Sequence, residues 1–182
     1  TKELIDFAKR LGFSQQESLS KFIDLKESGY SRVSLNNAVA IIDRAAVGPD
    51  YLPGHAHADT LSFELSIFSH RVIVNSGTSI YGNGIERMRQ RGTSAHSTVV
   101  IDNKNSSEVW SGFRVARRAR VSQVNTSISD GKIHLSASHD GYKRLFGKPS
   151  HYRKWIFTEC SIEIIDKISG RGSHNIEVVF PF

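Results

Sequence analysis

Leu61-Ser62-Phe63-Glu64-Leu65-Ser66-Ile67-Phe68 alternates apolar and polar side chains with a period of two. Successive side chains of an extended chain point to opposite faces, so Leu61, Phe63, Leu65 and Ile67 share one face. The segment therefore predicts a strand with one face in a core. A tight turn at Ser69-His70 leads into a second strand, Arg71-Val72-Ile73-Val74. Runs of the same texture occupy 38–42, 98–101, 113–115, 120–124, 132–137, 151–157, 161–168 and 175–180. Asp130-Gly131, Asp140-Gly141 and Gly170-Arg171-Gly172 punctuate them as turns. Many short strands with no helices between them predict a mainly β fold, an antiparallel β-sandwich.

Upstream the period changes. Leu4, Ile5, Ala8 and Leu11 are spaced as on a helix until Gly12. A second short helix is expected over 14–26, with Leu19, Phe22, Ile23 and Leu25 inward and Gly29 closing it. The expected organisation is a short N-terminal helical segment, 1–28, acting as tail or linker, and a sandwich over 29–182. Helix should be confined to the first segment. The one long insert without strand character runs from Gly77 to Ala95, and long loops in compact domains usually carry function.

A chain of 182 residues holds one good core. Its 38% hydrophobic and 23% charged content is that of a globular domain. The net charge of +6 and pI near 9.6 favour acidic partners, or mark nothing more than a basic, soluble protein. No aromatic-basic platform for nucleic acid is visible, so none is expected as a partner. No apolar run reaches the roughly 18 residues of a membrane span. The single cysteine, Cys160, excludes an internal disulfide and a cysteine zinc cage. Lying near Ile162, Ile164 and Ile165, it is expected to be a buried hydrophobe. The absence of an initiator Met, and an end in mid-pattern at Phe180-Pro181-Phe182, suggest a fragment, so compartment is not legible here.

Chemistry concentrates in Gly54-His55-Ala56-His57-Ala58-Asp59, Asn75-Ser76-Gly77-Thr78 and Ala95-His96-Ser97-Thr98. His55 and His57 would share a face if extended. Read from residues alone, they are two metal ligands, with His96 a third and Asp59 or Asn75 a fourth; the alternative is a hydrogen-bonded loop pair. A metal-binding cupin wants a Glu four or five residues after the second His, whereas Glu64 lies seven on. Arg87, Arg89 and Arg91 form one cationic row for sulfate or carboxylate if extended, and spread over a surface if helical. Tyr81 and Trp110 are candidates for substrate contact, against roles as loop anchor and rim residue. His151 and Arg153 share a strand face and are expected to pin neighbouring loops. His139 and Asp140 are expected to form a turn.

Taken in order, residues 54–63, 74–78 and 91–102, then Glu108-Val109-Trp110, Phe113-Arg114, His139-Asp140-Gly141-Tyr142 and His151-Tyr152-Arg153, resemble the heparinase II/III-like polysaccharide lyases. The resemblance covers about Gly29 to the end. It implies that an α/α toroid precedes the sandwich, with residues 1–28 its tail. It implies β-elimination on a uronic acid-containing acidic polysaccharide, in a periplasmic or extracellular setting. It places His55 in the cleft as a catalytic group, and His57 and His96 as ligands of a structural zinc. The family's third ligand is typically an Asp; Asn75 stands there, so a hydrogen-bonded His57–Asn75–His96 cluster is the substitute. The remaining catalytic groups belong to the toroid, so this stretch alone should be inactive or nearly so. The rival reading is a non-catalytic carbohydrate-binding or structural sandwich.

Overall fold

In a computed structural model of the chain, residues 2–13 and 20–182 are described. Helix α1 (Lys2–Arg10) comes first. It ends before Gly12, whose φ of +86° reverses the chain. It buries none of its side chains, and Leu4, Phe7 and Leu11 stay exposed.

Five antiparallel strands follow as one sheet in chain order: β1 (Phe22–Leu25), β2 (Tyr30–Ser34), β3 (Ala38–Asp43), β4 (Phe63–Ile67) and β5 (His70–Ile73). The helix expected over 14–26 is thus corrected: 22–25 is a strand, paired Phe22 with Val33 through Leu25 with Tyr30, and 14–19 lie outside the described residues. A short apolar run carries no decisive period, and pairing to a neighbouring strand overrides its local preference. Gly29, at φ +76°, closes the β1–β2 turn rather than a helix. Its missing Cβ would lie 2.4 Å from the Ala45 Cα. The β4–β5 turn falls on Phe68 and Ser69, both at positive φ, as a two-residue hairpin requires.

The insert 77–95 holds helix α2 (Ile85–Arg91) and a 3-10 turn, Thr93–Ala95. Helix is therefore not confined to the first 28 residues. Then come β6 (Val99–Ile101), the hairpin β7 (Val109–Trp110) and β8 (Arg114–Val115), and a second sheet of β9 (Val121–Ser129), β10 (Lys132–His139), β11 (Ser150–Phe157) and β12 (Ile162–Ser169). β13 (Ile176–Val178) returns to pair with β6.

The two large sheets face each other across one core. Val33, Ala40, Ile42, Leu61, Phe63 and Leu65 meet Ile133, Leu135, Ala137, Trp155 and Phe157. This is the antiparallel sandwich, and the alternation of 61–67 is its inner face. Cys160, expected in the core, is exposed. It sits in the β11–β12 turn, outside the inward alternation of Ile162 and Ile164. His139 is not in a turn but ends strand β10, buried.

The Arg153 guanidinium crosses from the second sheet. It donates to both carboxylate oxygens of Asp166, at 2.7 and 2.9 Å, and to the carbonyls of Leu61 and Ser97. It thereby pins the segments that carry the histidine motifs, as its strand-face position predicts.

Candidate active site and metal centre

Four segments meet off one end of the strands of the first sheet: loop 44–62, loop 74–84, helix α2 and the β7–β8 hairpin. Side chains from α2 tie them together. On a helix, residues four apart share a face, so Arg87 and Arg91 both point inward and are almost fully buried. Arg91 donates to Ala56 O (3.2 and 3.1 Å), Ser111 O (2.8 Å) and Arg114 O (3.1 Å). Arg87 donates to Gly112 O (3.2 Å) and Thr78 Oγ1 (2.9 Å), and lies 3.2 Å from His57 Nε2. Gly112 must be glycine for this: a Cβ there would fall 2.2 Å from the Gly82 carbonyl oxygen.

Arg89 faces outward instead. It pairs with Glu86 one turn back at 2.6 Å. The segment is helical and no cationic row forms, but the three arginines do not spread over the surface as that alternative expected, because Arg87 and Arg91 are buried. Arg91 is committed to backbone carbonyls, with no surface left for a polyanion.

The turn that carries Ala56 N–H to Pro53 O separates the two histidines of the loop. His55 is exposed. Its ring stands edge-on to Tyr81 and Phe113, each with centroids 5.8 Å away. Tyr81 and Phe113 stack on each other at 5.8 Å and 14°. The Arg87 guanidinium lies over both rings, at 5.4 and 5.9 Å. Tyr81 is 60% exposed, so it anchors the loop while keeping one face toward solvent. Trp110, 53% exposed, carries Arg114 over its ring. Phe113 has no role of its own in the sequence, beyond the 113–115 run and the Phe113-Arg114 step of the resemblance; the β7–β8 turn is what brings it to His55.

His57 turns inward. Its ring centroid lies 5.3 Å from that of His96. Donor atoms of His57, Asp59 and His96 fall within 4.8 Å of one another. His96 is 1% exposed, and among the described residues neither ring nitrogen has a partner in good hydrogen-bond geometry, although the Gln90 backbone lies close enough to act on the ring. Burial pulls His96 down to about 4, partly offset by the Gln90 backbone. Burial, then His96, pulls His57 down to about 4 against the attraction of Asp59. Both imidazoles are therefore neutral at pH 7, the form that ligates metal. Asp59 is raised by burial, against His57, and Asp43 beside it is raised by burial and then by Asp59.

Asn75 lines the same cavity as Asp59 and His96, but its Oδ1 accepts the Gly77 N–H at 2.8 Å. The substitute His57–Asn75–His96 hydrogen-bonded cluster does not form. Two neutral imidazoles with an adjacent carboxylate are a donor set that suits zinc. His96, buried with both nitrogens orphaned, fits a group that supplies the missing partner.

A separate open groove of about 1020 Å³ is lined by Lys26, Arg44, Arg117, Arg118, Arg120 and Arg144, with Glu27, Asp50 and Asp140 among its acids. Arg118 is held by Asp50 at 2.6 Å and Arg44 by Asp24 at 3.0 Å.

The fold recurs in solved structures. A heparan sulfate lyase, HepC from Pedobacter heparinus, superposes with a TM-score of 0.69 at 19% identity, over 96% of this chain and 28% of that one. A heparinase III gene product superposes with a TM-score of 0.67 at 21% identity, over 96% and 26%. A crystal structure of heparinase III gives 0.65 at 16% identity, over 88% and 24%. The chain thus spans about a quarter of the length of these proteins, and at such identities the likeness speaks for the fold. No curated protein matches the chain at a significant level. The family model described as "Heparinase II/III-like, C-terminal" matches residues 17–182, which takes in both sheets and all four segments of the site, and the chain belongs to that family.

Proposed function

We propose that this chain is the C-terminal domain of a lyase that cleaves uronic acid-containing acidic polysaccharide by β-elimination. The supporting observation is the exposed His55, held edge-on by Tyr81 and Phe113 over the buried Arg87. The reaction removes a barely acidic proton next to a carboxylate, so the developing charge must be neutralised while a base takes the C5 proton. An acid then protonates the departing glycosidic oxygen. His55, presented outward on a rigid aromatic seat, supplies one of these groups. The others come from the toroid domain that the resemblance implies, so the domain alone is inactive or nearly so. The +6 charge and the basic groove draw in a polyanion. The exposed Trp110 beneath Arg114, with Tyr81, also fits a domain that binds carbohydrate without cleaving it.

His57 and His96 hold a structural zinc in this reading, tying loop 44–62 to the 3-10 turn. When bound, the ion supplies a fixed positive charge and a cross-link. The protein's own residues orient it: the Arg87 guanidinium at 3.2 Å and the Thr78 hydroxyl at 3.3 Å both contact His57 Nε2, and these contacts fix the ring beside Asp59 and His96.

The test is an assay of the full-length protein on a panel of uronic polysaccharides, following ultraviolet absorbance of the unsaturated product. His55→Ala should lower turnover by about two to four powers of ten, the usual worth of one proton-transfer or charge-stabilising group. Unchanged turnover would remove His55 from the chemistry. Binding to the panel with no product from any member would establish the non-catalytic reading.

A further inference from the structure

We infer that the third ligand of the zinc centre in this protein is Asp59, and not the residue at position 75. The inference rests on the zinc proposed above and not on the lyase activity. Two histidines are shared by both versions, so the question is which oxygen completes the set. Asn75 offers a neutral amide, a weaker ligand than a carboxylate, whose Oδ1 is already oriented by the Gly77 N–H at 2.8 Å. Asp59 offers a carboxylate that already lies with the two histidine donors inside 4.8 Å.

The electrostatic balance agrees. Zinc brings two positive charges to a pocket that already has Arg87 3.2 Å from His57 Nε2. With Asn75 as third ligand the donor set would be neutral, and the ion would face that guanidinium uncompensated. Asp59 places one negative charge directly on the ion, and Asp43 lines the same cavity. The cavity bordered by Asp43, Asp59, Asn75 and His96 measures about 80 Å³. That is too little for a sugar ring; the cavity reaches two of the three donors, Asp59 and His96, with His57 not among its lining residues. His96, 1% exposed with both nitrogens unpartnered, gives the cavity an independent reason to hold a ligand. Residues 57 and 59 also lie two apart on the same loop, so both ligands come from one short segment and the second sheet's Arg153 fixes its far end at Leu61.

The experiment is zinc titration of the protein against a chromogenic chelator, with Co²⁺ absorption as a second readout. Wild type should bind one equivalent and melt higher with zinc. Asp59→Asn should bind at least 10-fold more weakly and lose the zinc-dependent rise in Tm. Asn75→Ala should stay within about 3-fold of wild type and keep the tetrahedral Co²⁺ spectrum. Should Asp59→Asn fail to fold, Asn75→Ala decides: retained affinity supports Asp59, and a 10-fold loss overturns it. Retained affinity in Asp59→Asn with loss in Asn75→Ala returns the role to position 75. Absence of binding by wild type overturns the centre itself, whatever the polysaccharide assay shows.

Discussion

Arg91 makes four hydrogen bonds to three backbone carbonyls drawn from loop 44–62 and from the β7–β8 hairpin. Truncation leaves these part-buried acceptors without the guanidinium, and an unsatisfied buried acceptor costs about 1–3 kcal/mol. Arg91→Ala should therefore lower the unfolding free energy by about 2–4 kcal/mol in a urea melt. Arg89→Ala, which removes only an exposed pair with Glu86, should shift it by less than about 0.5 kcal/mol. Similar shifts for the two variants would contradict the division of labour between the arginines. That division was not legible in the sequence. Alternation of Arg87, Arg89 and Arg91 looks like a strand, and only the helix places 87 and 91 on one face. The histidines were legible as a group, because short motifs carry them and their chemistry is uncommon. The split between an outward His55 and an inward His57 depends on the Ala56–Pro53 turn. The availability of Asp59 depends on which oxygens the backbone has already claimed.

At the scale of elements, the buried chain along β10, β11 and β12 adds to the acid response that the neutral His57 and His96 also give. His139 Nε2 lies 3.1 Å from His151 Nδ1, and His151 Nε2 lies 2.6 Å from Asp166, which also pairs with Arg153. Burial, and then His151, depresses His139. Burial depresses His151 although Asp166 pulls the other way. Both are neutral when folded, while the unfolded chain takes up protons near pH 6.5. The unfolded state then binds more protons, so stability falls as pH drops below about 6.5. Each histidine can contribute up to about 2 kcal/mol of loss by pH 5. Asp166 acts lower. Burial raises it, but hydrogen bonds from His151 and Arg153 outweigh this and hold it at about 2. Its contribution is whole above the unfolded value near 4 and disappears as pH falls toward 2. Melting temperature against pH should thus show two acid limbs, and Asp166→Asn should flatten the lower one. A single limb in wild type would show that this chain does not govern acid stability. The strands themselves were readable from alternation where one face is buried, as in 61–67. β1 was not, since four residues cannot distinguish a helical from an extended period, and α2 was hidden inside an insert read as loop.

For the whole molecule, the two-sheet architecture followed from the pattern, but the groove did not. Lys26, Arg44 and the arginines of 117–144 are far apart in the chain, and only the fold brings them to one surface. Interaction of this face with a polyanion is electrostatic, so it should weaken steeply with salt. Retention on a sulfated polysaccharide column should fall between 0.05 and 0.5 M salt, by roughly the ratio of screening lengths there. The double variant Lys26→Glu, Arg120→Glu should elute earlier than wild type. Equal elution of the two would place the polyanion elsewhere on the domain.

Arg153 reaches back 92 residues to the Leu61 carbonyl, and Val74 waits for Pro181 to satisfy its N–H. During synthesis at about 5–20 residues per second, Leu61 leaves the ribosome roughly 5–20 s before its anchor does. Over that interval the inner face of β4 has no opposing sheet, and the histidine loops have no fixed end. The nascent chain must remain extended, or be shielded by chaperones, until β11 and β12 arrive. Synonymous changes that speed or slow translation between the codons for Leu61 and Arg153 should then alter the yield of folded protein without changing a single residue of it.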